Sequence, residues 1–313
     1  MTAAGADRRI VADVGGTRSR FGISGGPGEL DAIRIYATAG LPSFAKALQA
    51  YVEDLAADPI DTWCVSVHIA AAGPIEQGTV QLTNAAWFIS SRALSDEIGG
   101  VPVALVNDLE AVGLLLPHLQ SSDVATIGDT SGPRLTGNRI AVNVGTGFGA
   151  ATAVRGEAGW VVAAGEAGHM SLAPATPEEA ALLGWGRTAE DYLSGAGIAR
   201  LYAAHDPAGG ERTDEAIFAA SGNNAAAART SETFSRLLGR VTGDLVLATA
   251  AWDGAYLCGS VARAWLDVAD VKAFRATFED KGLRGHMARV PTYAITVPEP
   301  ALLGLTYAVQ PVA

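Results

Sequence analysis

Two stretches of this chain share one design. Arg9–Val14 is a short β-rich run that stops at Gly15-Gly16-Thr17, and Arg18–Ile23 resumes as a second apolar stretch. Far downstream, Ile140–Val144 stops at Gly145-Thr146-Gly147, and Gly149–Val154 resumes. Two such runs around a glycine-rich tight turn read as a β-hairpin. The recurrence predicts two related lobes, although a repeat this widely spaced is weak evidence by itself.

The rest of the pattern is mixed α/β. Ala32–Ala37, Trp63–Ile69, Val103–Val106, Trp160–Ala164, Ala255–Cys258 and Tyr293–Val297 read as strands. Ser43 reads as the N-cap of a helix through about Leu55, with Phe44, Leu48, Tyr51 and Leu55 at helical spacing. A helix is expected from Asn107-Asp108 to near Pro117, and most of Thr176–Asp253 is helical in pattern, with Ser231–Ala250 the longest candidate. Further helices are expected from about Val261, over Val271–Glu279 and over Ala301–Val309, and Asp206–Arg212 reads as a surface loop.

The 313 residues suffice for one large domain or two ordinary ones. A net charge of -11 argues against non-specific nucleic-acid binding, which needs a basic face. Cys64 and Cys258 stand far apart with no CxxC spacing, which fits a reducing compartment and gives no zinc signature. Met1–Arg9 is polar and charged, unlike a signal peptide, and no apolar run is long enough to span a membrane. A soluble cytoplasmic enzyme is the expectation.

Four constellations can carry chemistry. In Asp13-Val14-Gly15-Gly16-Thr17, glycines after a strand let backbone N–H groups face an anion, and Thr17 adds a hydroxyl. Asp13 at the strand end suits a hydrated Mg²⁺ beside phosphates. A glycine hairpin whose Asp caps its own turn explains the same residues. No Gly-Lys-Ser/Thr follows, so this is not a Walker A loop. Gly145-Thr146-Gly147-Phe148-Gly149 offers a second turn of the same kind, and the two together point to an anion more than either alone. Asn107-Asp108 closes a strand and opens a helix. On spacing alone Asp108 reads as the helix cap, while a carboxylate at a strand's C-terminal end also suits a base in phosphoryl transfer. Gly165-Glu166-Ala167-Gly168-His169 offers hydrogen-bond partners for a polyol, and Glu190 is a weaker signal of the same type. A Glu or His on a loop is more often simply solvated.

Taken in order, these pieces resemble the bacterial glucokinase family of the hexokinase/actin-like ATPase superfamily. The matching stretches are Asp13–Thr17, Leu82-Thr83-Asn84 with Trp87, Asn107-Asp108 with Ala111, and Gly145–Gly149. They continue with Gly165-Glu166, Gly168-His169, Ala189-Glu190 and Leu193-Ser194-Gly195. Phe274-Arg275-Ala276, Phe278–Gly282 and Pro300–Gly304 complete the set, which spans nearly the whole chain.

The resemblance implies an α/β, two-domain actin-like ATPase (ribonuclease H-like) fold with a central cleft. Residues 1–108 with 299–313 would form the small domain and 109–298 the large one. It implies phosphorylation of glucose at the 6-hydroxyl with ATP and Mg²⁺. Asp108 would be the base, and Asn84, Asn107, Asp108, Glu166, His169 and Glu190 would bind the sugar. Asp13, Gly15, Gly16, Thr17, Gly145, Thr146, Gly147 and Gly259 would serve the nucleotide, Asp13 holding the metal through water. A homodimer is a further implication.

Two positions depart from the family pattern. Arg18 stands where Asn is usual, and the adenosine-side glycine pair is Gly259-Ser260, which bears on nucleotide preference. The alternatives are a kinase of another hexose or amino sugar, a non-catalytic sugar-sensing relative, and an actin-like ATPase or assembly protein, against which the hydroxyl-binding Glu and His set speaks.

Overall fold

The computed structural model describes residues 8–82 and 85–309. Asn84, one of the expected sugar-binding residues, lies outside the described residues. By its internal contacts the chain divides into two units. One runs to His118 and takes back the chain from Pro298; the other is Leu119–Val297.

The first unit is built on β1 (Arg8–Val14), β2 (Arg18–Ser24) and β3 (Asp31–Ala37), followed by α1 (Phe44–Asp54) and β4 (Cys64–Ala71). A separate two-stranded ribbon, β5 (Thr79–Gln81) with β6 (Phe88–Ser90), leads to α2 (Ser91–Glu97), β7 (Val103–Asn107) and α3 (Asp108–Leu115). The sheet order is β3-β2-β1-β4-β7. β1 and β2 form the expected hairpin, whereas β4 runs parallel to both β1 and β7. Ser43 caps α1 as expected, accepting a hydrogen bond from the Lys46 amide. Its buried face, Phe44, Ala47, Leu48 and Tyr51, packs with Phe21 into the core of this unit.

The second unit repeats the plan. Its strands are β8 (Val124–Thr126), β9 (Arg139–Val144), β10 (Phe148–Gly156) and β11 (Gly159–Gly165), and later β12 (Ala255–Cys258) and β13 (Thr292–Ile295). Between β11 and β12 come α4 (Pro177–Leu182), α5 (Gly195–His205), α6 (Asp214–Ala220) and α7 (Ala225–Thr249). Between β12 and β13 come α8 (Ser260–Leu266), α9 (Val271–Glu279) and α10 (Arg284–Met287). The sheet order is β11-β10-β9-β12-β13-β8. Again three antiparallel strands are followed by two parallel ones, with β8 added at the edge. The repeated hairpin is therefore the start of a repeated sheet. Val14 ends β1 and Val144 ends β9, so Asp13 and Asn143 hold equivalent places.

Helix α7 begins at its Asn224 cap, ahead of the expected start at Ser231. Ala225–Thr230 carries no large apolar side chain to show the helical period. The chain then returns to the first unit as α11 (Pro300–Leu305), which ends sooner than the expected Val309. Gly304 lets α11 press against α3, because a Cβ there would run into the Ala111 carbonyl. The helix that begins at Asp108 thus groups with the first unit. Among the described residues no helix is long and apolar enough to cross a membrane.

Candidate functional site

In the first unit the parallel strands β1, β4 and β7 end side by side, with Val14 level with Ala71 and Ala71 level with Asn107. This edge carries Asp13 and Asp108. Asn107, rather than Asp108, is the N-cap of α3: its Oδ1 accepts from the Leu109 amide at 2.9 Å, and its Nδ2 donates to the Gly73 carbonyl at 3.4 Å. The reading of Asp108 as the cap is corrected accordingly. Asp108 is the first residue of the helix, and its Oδ1 accepts from the same amide at 2.9 Å. The pair shares one donor, which fixes the direction of the Asp108 carboxylate at the start of a helix.

Asp13 lies directly across the hairpin from Arg20. Arg20 Nη1 donates to Asp13 Oδ2 at 3.1 Å, and Arg20 Nε lies 2.8 Å from Glu299 Oε2. Burial pushes the Asp13 carboxyl up to about 6, opposed by the Arg20 charge and reinforced by the charges of Asp108 and Glu299. One guanidinium thus answers several carboxylates, and the site lacks positive charge. That deficit fits a divalent cation. Among the described residues no three His, Cys, Asp or Glu side chains converge as a direct ligand set.

The β1–β2 turn is closed by Gly15, whose amide donates to the Arg18 carbonyl at 3.0 Å. Thr38 braces it from outside, its hydroxyl donating to the Gly15 carbonyl at 2.9 Å and its amide to the Thr17 carbonyl at 2.9 Å. Gly15 spends its amide on the turn, while the amides of Gly16 and Thr17 have no acceptor among the described residues. Thr17 and Arg18 are exposed.

The second unit repeats this economy. The Gly145 amide donates to the Gly147 carbonyl at 2.9 Å, leaving those of Thr146 and Gly147 without an acceptor among the described residues. Beneath the turn, Gly259 adopts φ 100°, and a Cβ there would strike the Val144 carbonyl and the Asn143 side chain. A side chain at Gly145 would be in ordinary contact with the Ser260 hydroxyl, 3.8 Å away. Ser260 thus borders the turn, at the first position of α8.

Glu190 ties this turn to the Gly165–His169 loop. Its Oε2 accepts from the Phe148 amide at 2.9 Å, and its own amide donates to the Gly168 carbonyl at 3.0 Å. Gly168 is required at this crossing, and Gly147 leaves Glu190 its place. A Cβ at Gly147 would fall 2.6 Å from Glu190 Oε2, and one at Gly168 would strike the Phe148 carbonyl. Glu166 and His169 are 75% and 70% exposed and stand 4.0 Å apart, so both present hydrogen-bonding groups to solvent. Arg20 and Glu299 escaped the sequence reading. The hairpin register places Arg20 opposite Asp13 and would have found it, but nothing in the sequence links Glu299 to either.

The sequence pattern of the glucokinase family matches residues 10–311. The glucokinase of Chromohalobacter salexigens is 33% identical over 94% of this chain and 95% of its own length. That of Nitrobacter hamburgensis is 34% identical over 95% of each. Among solved structures, a glucokinase from an Antarctic psychrotroph superposes with a TM-score of 0.83 at 27% identity, covering 96% of this chain and 98% of that one. A ROK family glucokinase from Streptomyces griseus, solved with glucose and AMPPNP, shares the fold with a TM-score of 0.64 at 22% identity, covering 96% of this chain and 98% of that one.

Proposed function

The chain belongs to the glucokinase family and is an ATP-dependent glucose kinase, and we propose that Asp108 is the base that receives the proton of the sugar 6-hydroxyl. The observation that supports this most is the anchoring of Asp108 at the end of β7 and the start of α3, close enough to Asp13 for its charge to act on that carboxyl. A sugar hydroxyl is a poor nucleophile near neutral pH. Asp108 orients its oxygen and takes its proton as the O–P bond forms.

The phosphate groups of ATP are read as partners of the amides of Gly16 and Thr17 in the first unit and of Thr146 and Gly147 in the second. Gly15, Gly145 and Gly259 shape those turns. Asp13 would hold Mg²⁺ through water, and the ion would supply positive charge to the transferring phosphoryl group. Asn107, Glu166, His169 and Glu190, with Asn84, are read as partners of the remaining sugar hydroxyls. Asn107 keeps a second amide hydrogen for this, and Glu190 keeps Oε1. An analogue lacking a hydroxyl would leave such a group unpaired, which is how the sugar is selected. The same reading includes a cytoplasmic homodimer, and the buried Cys64 and Cys258, which form no disulfide, are consistent with a reducing compartment.

The test is ADP release against a panel of hexoses and amino sugars. Asp108→Ala lowers kcat at least ~10²-fold with glucose, and near-normal turnover in that variant removes Asp108 from the role of base. Faster turnover of another sugar would move the substrate assignment, and glucose binding without turnover in the wild type would point to a sensor.

A further inference from the structure

Glu299 is held in a way that its own segment does not explain. It lies at φ 48° and ψ 57°, the left-handed region, where a residue with a Cβ is disfavoured. It occupies the N-cap position of α11, yet its side chain makes no capping hydrogen bond. Neither backbone preference nor capping accounts for this geometry. What the carboxylate meets instead is Arg20, with Oε2 2.8 Å from Nε. That nitrogen is buried and has no hydrogen-bond partner among the described residues, so the contact is one of charge rather than of aligned donor and acceptor. The side chains of Arg20, Asp13 and Glu299 are 28%, 18% and 27% exposed, so the contact is only partly screened by water.

Arg20 therefore stands between two carboxylates. Its Nη1 engages Asp13 Oδ2, leaving Asp13 Oδ1 outside that bond. Without the guanidinium, the Asp13 carboxylate is free to rotate about its side-chain torsions. With Arg20 alone, the long arginine chain has its own rotamers to sample. Glu299 limits them from the far side.

We propose that Arg20 and Glu299 are a positioning pair for Asp13: Arg20 aims the carboxylate, and Glu299, carried on the returning α11, holds Arg20 in place. The inference rests on the reading of Asp13 as the residue that holds hydrated Mg²⁺ beside ATP. Removing such an outer partner typically weakens metal affinity or activity 10–100-fold. The pair touches no sugar group in this reading, so the nucleotide side should suffer and the sugar side should not.

The test compares Glu299→Gln, which keeps the shape and removes the charge, with Arg20→Met and Arg20→Lys. In steady-state kinetics, Glu299→Gln is expected to raise the KM for MgATP about tenfold with the glucose KM within twofold of wild type. Arg20→Met goes further, and Arg20→Lys recovers part of the loss. A second readout needs no turnover: calorimetric affinity for Mn²⁺ with AMPPNP should fall by the same factor. If Glu299→Gln and Arg20→Lys both keep wild-type MgATP KM and Mn²⁺–AMPPNP affinity, the proposal is overturned. Equal rises in both KM values with a lowered thermal midpoint would also overturn it, by showing a merely structural contact. Absence of any glucose-dependent turnover in the wild type would instead sink the kinase reading on which the pair depends.

Discussion

Asp13 carries a tension that can be measured. Burial pushes its carboxyl up to about 6 in the folded protein, from an ordinary 3.8. The folded state thus holds the proton more tightly than the unfolded one. Stability contributed by the protonated form is fully present below about pH 4, is lost as pH rises through about 6, and stays lost above that. The penalty is on the order of 3 kcal/mol in metal-free protein. Asp13→Asn removes the ionisation, so the variant should be more stable than wild type at neutral pH, with the difference shrinking toward pH ~4. Urea unfolding of both proteins across that range checks it, and a pH-independent difference would refute it. Asp13 and Asp108 are legible in the sequence because their neighbours carry the pattern. Which of Asn107 and Asp108 is the cap is not legible, because Asn and Asp cap equally well, and only the backbone decides which of two adjacent residues is half-in. Glu299 was illegible because its partner comes from the opposite end of the chain.

At the scale of elements, periodicity found what was long or strongly patterned. The paired hairpins, α1 and α9 follow their sequence signals closely. β5, β6 and β8 have three residues each, too few to display an alternating pattern. A close approach between elements in the first unit depends on Gly304, where α11 meets α3. Gly304→Ala should destabilise the protein by about 1–3 kcal/mol, toward the upper end, because the obstacle is a backbone carbonyl rather than a flexible side chain. It should also reduce turnover, since α3 begins with Asp108. Denaturant midpoints and kcat measured together test both halves, and an unchanged midpoint would show that the helices part without cost.

Over the whole molecule, the duplication visible as two Gly/Thr hairpins is a duplication of sheet topology. The sequence could show the hairpins but not the parallel strands beside them, because that pairing joins segments separated by helices. The two units differ in how the chain supplies them. The second is continuous, Leu119–Val297, whereas the first needs its returning segment. Leu302 and Leu305 on α11 are fully buried, so that segment belongs to the core. A chain ending after Val297 should therefore lose amide protection in β1, β4 and β7 while keeping it in β9 and β12. Hydrogen exchange read by mass spectrometry distinguishes this from uniform loss, which would mean that the second unit cannot stand without the first.

The return of α11 also sets a timetable. During synthesis the strands that bear Asp13 and Ala71 leave the ribosome early, but the helix that packs against them emerges only after the entire second unit. The nascent protein thus carries a bare apolar face for most of its translation, and its later half can finish folding before its earlier half. The lobe made first is the one completed last, and the interval between is when a chaperone has most to protect.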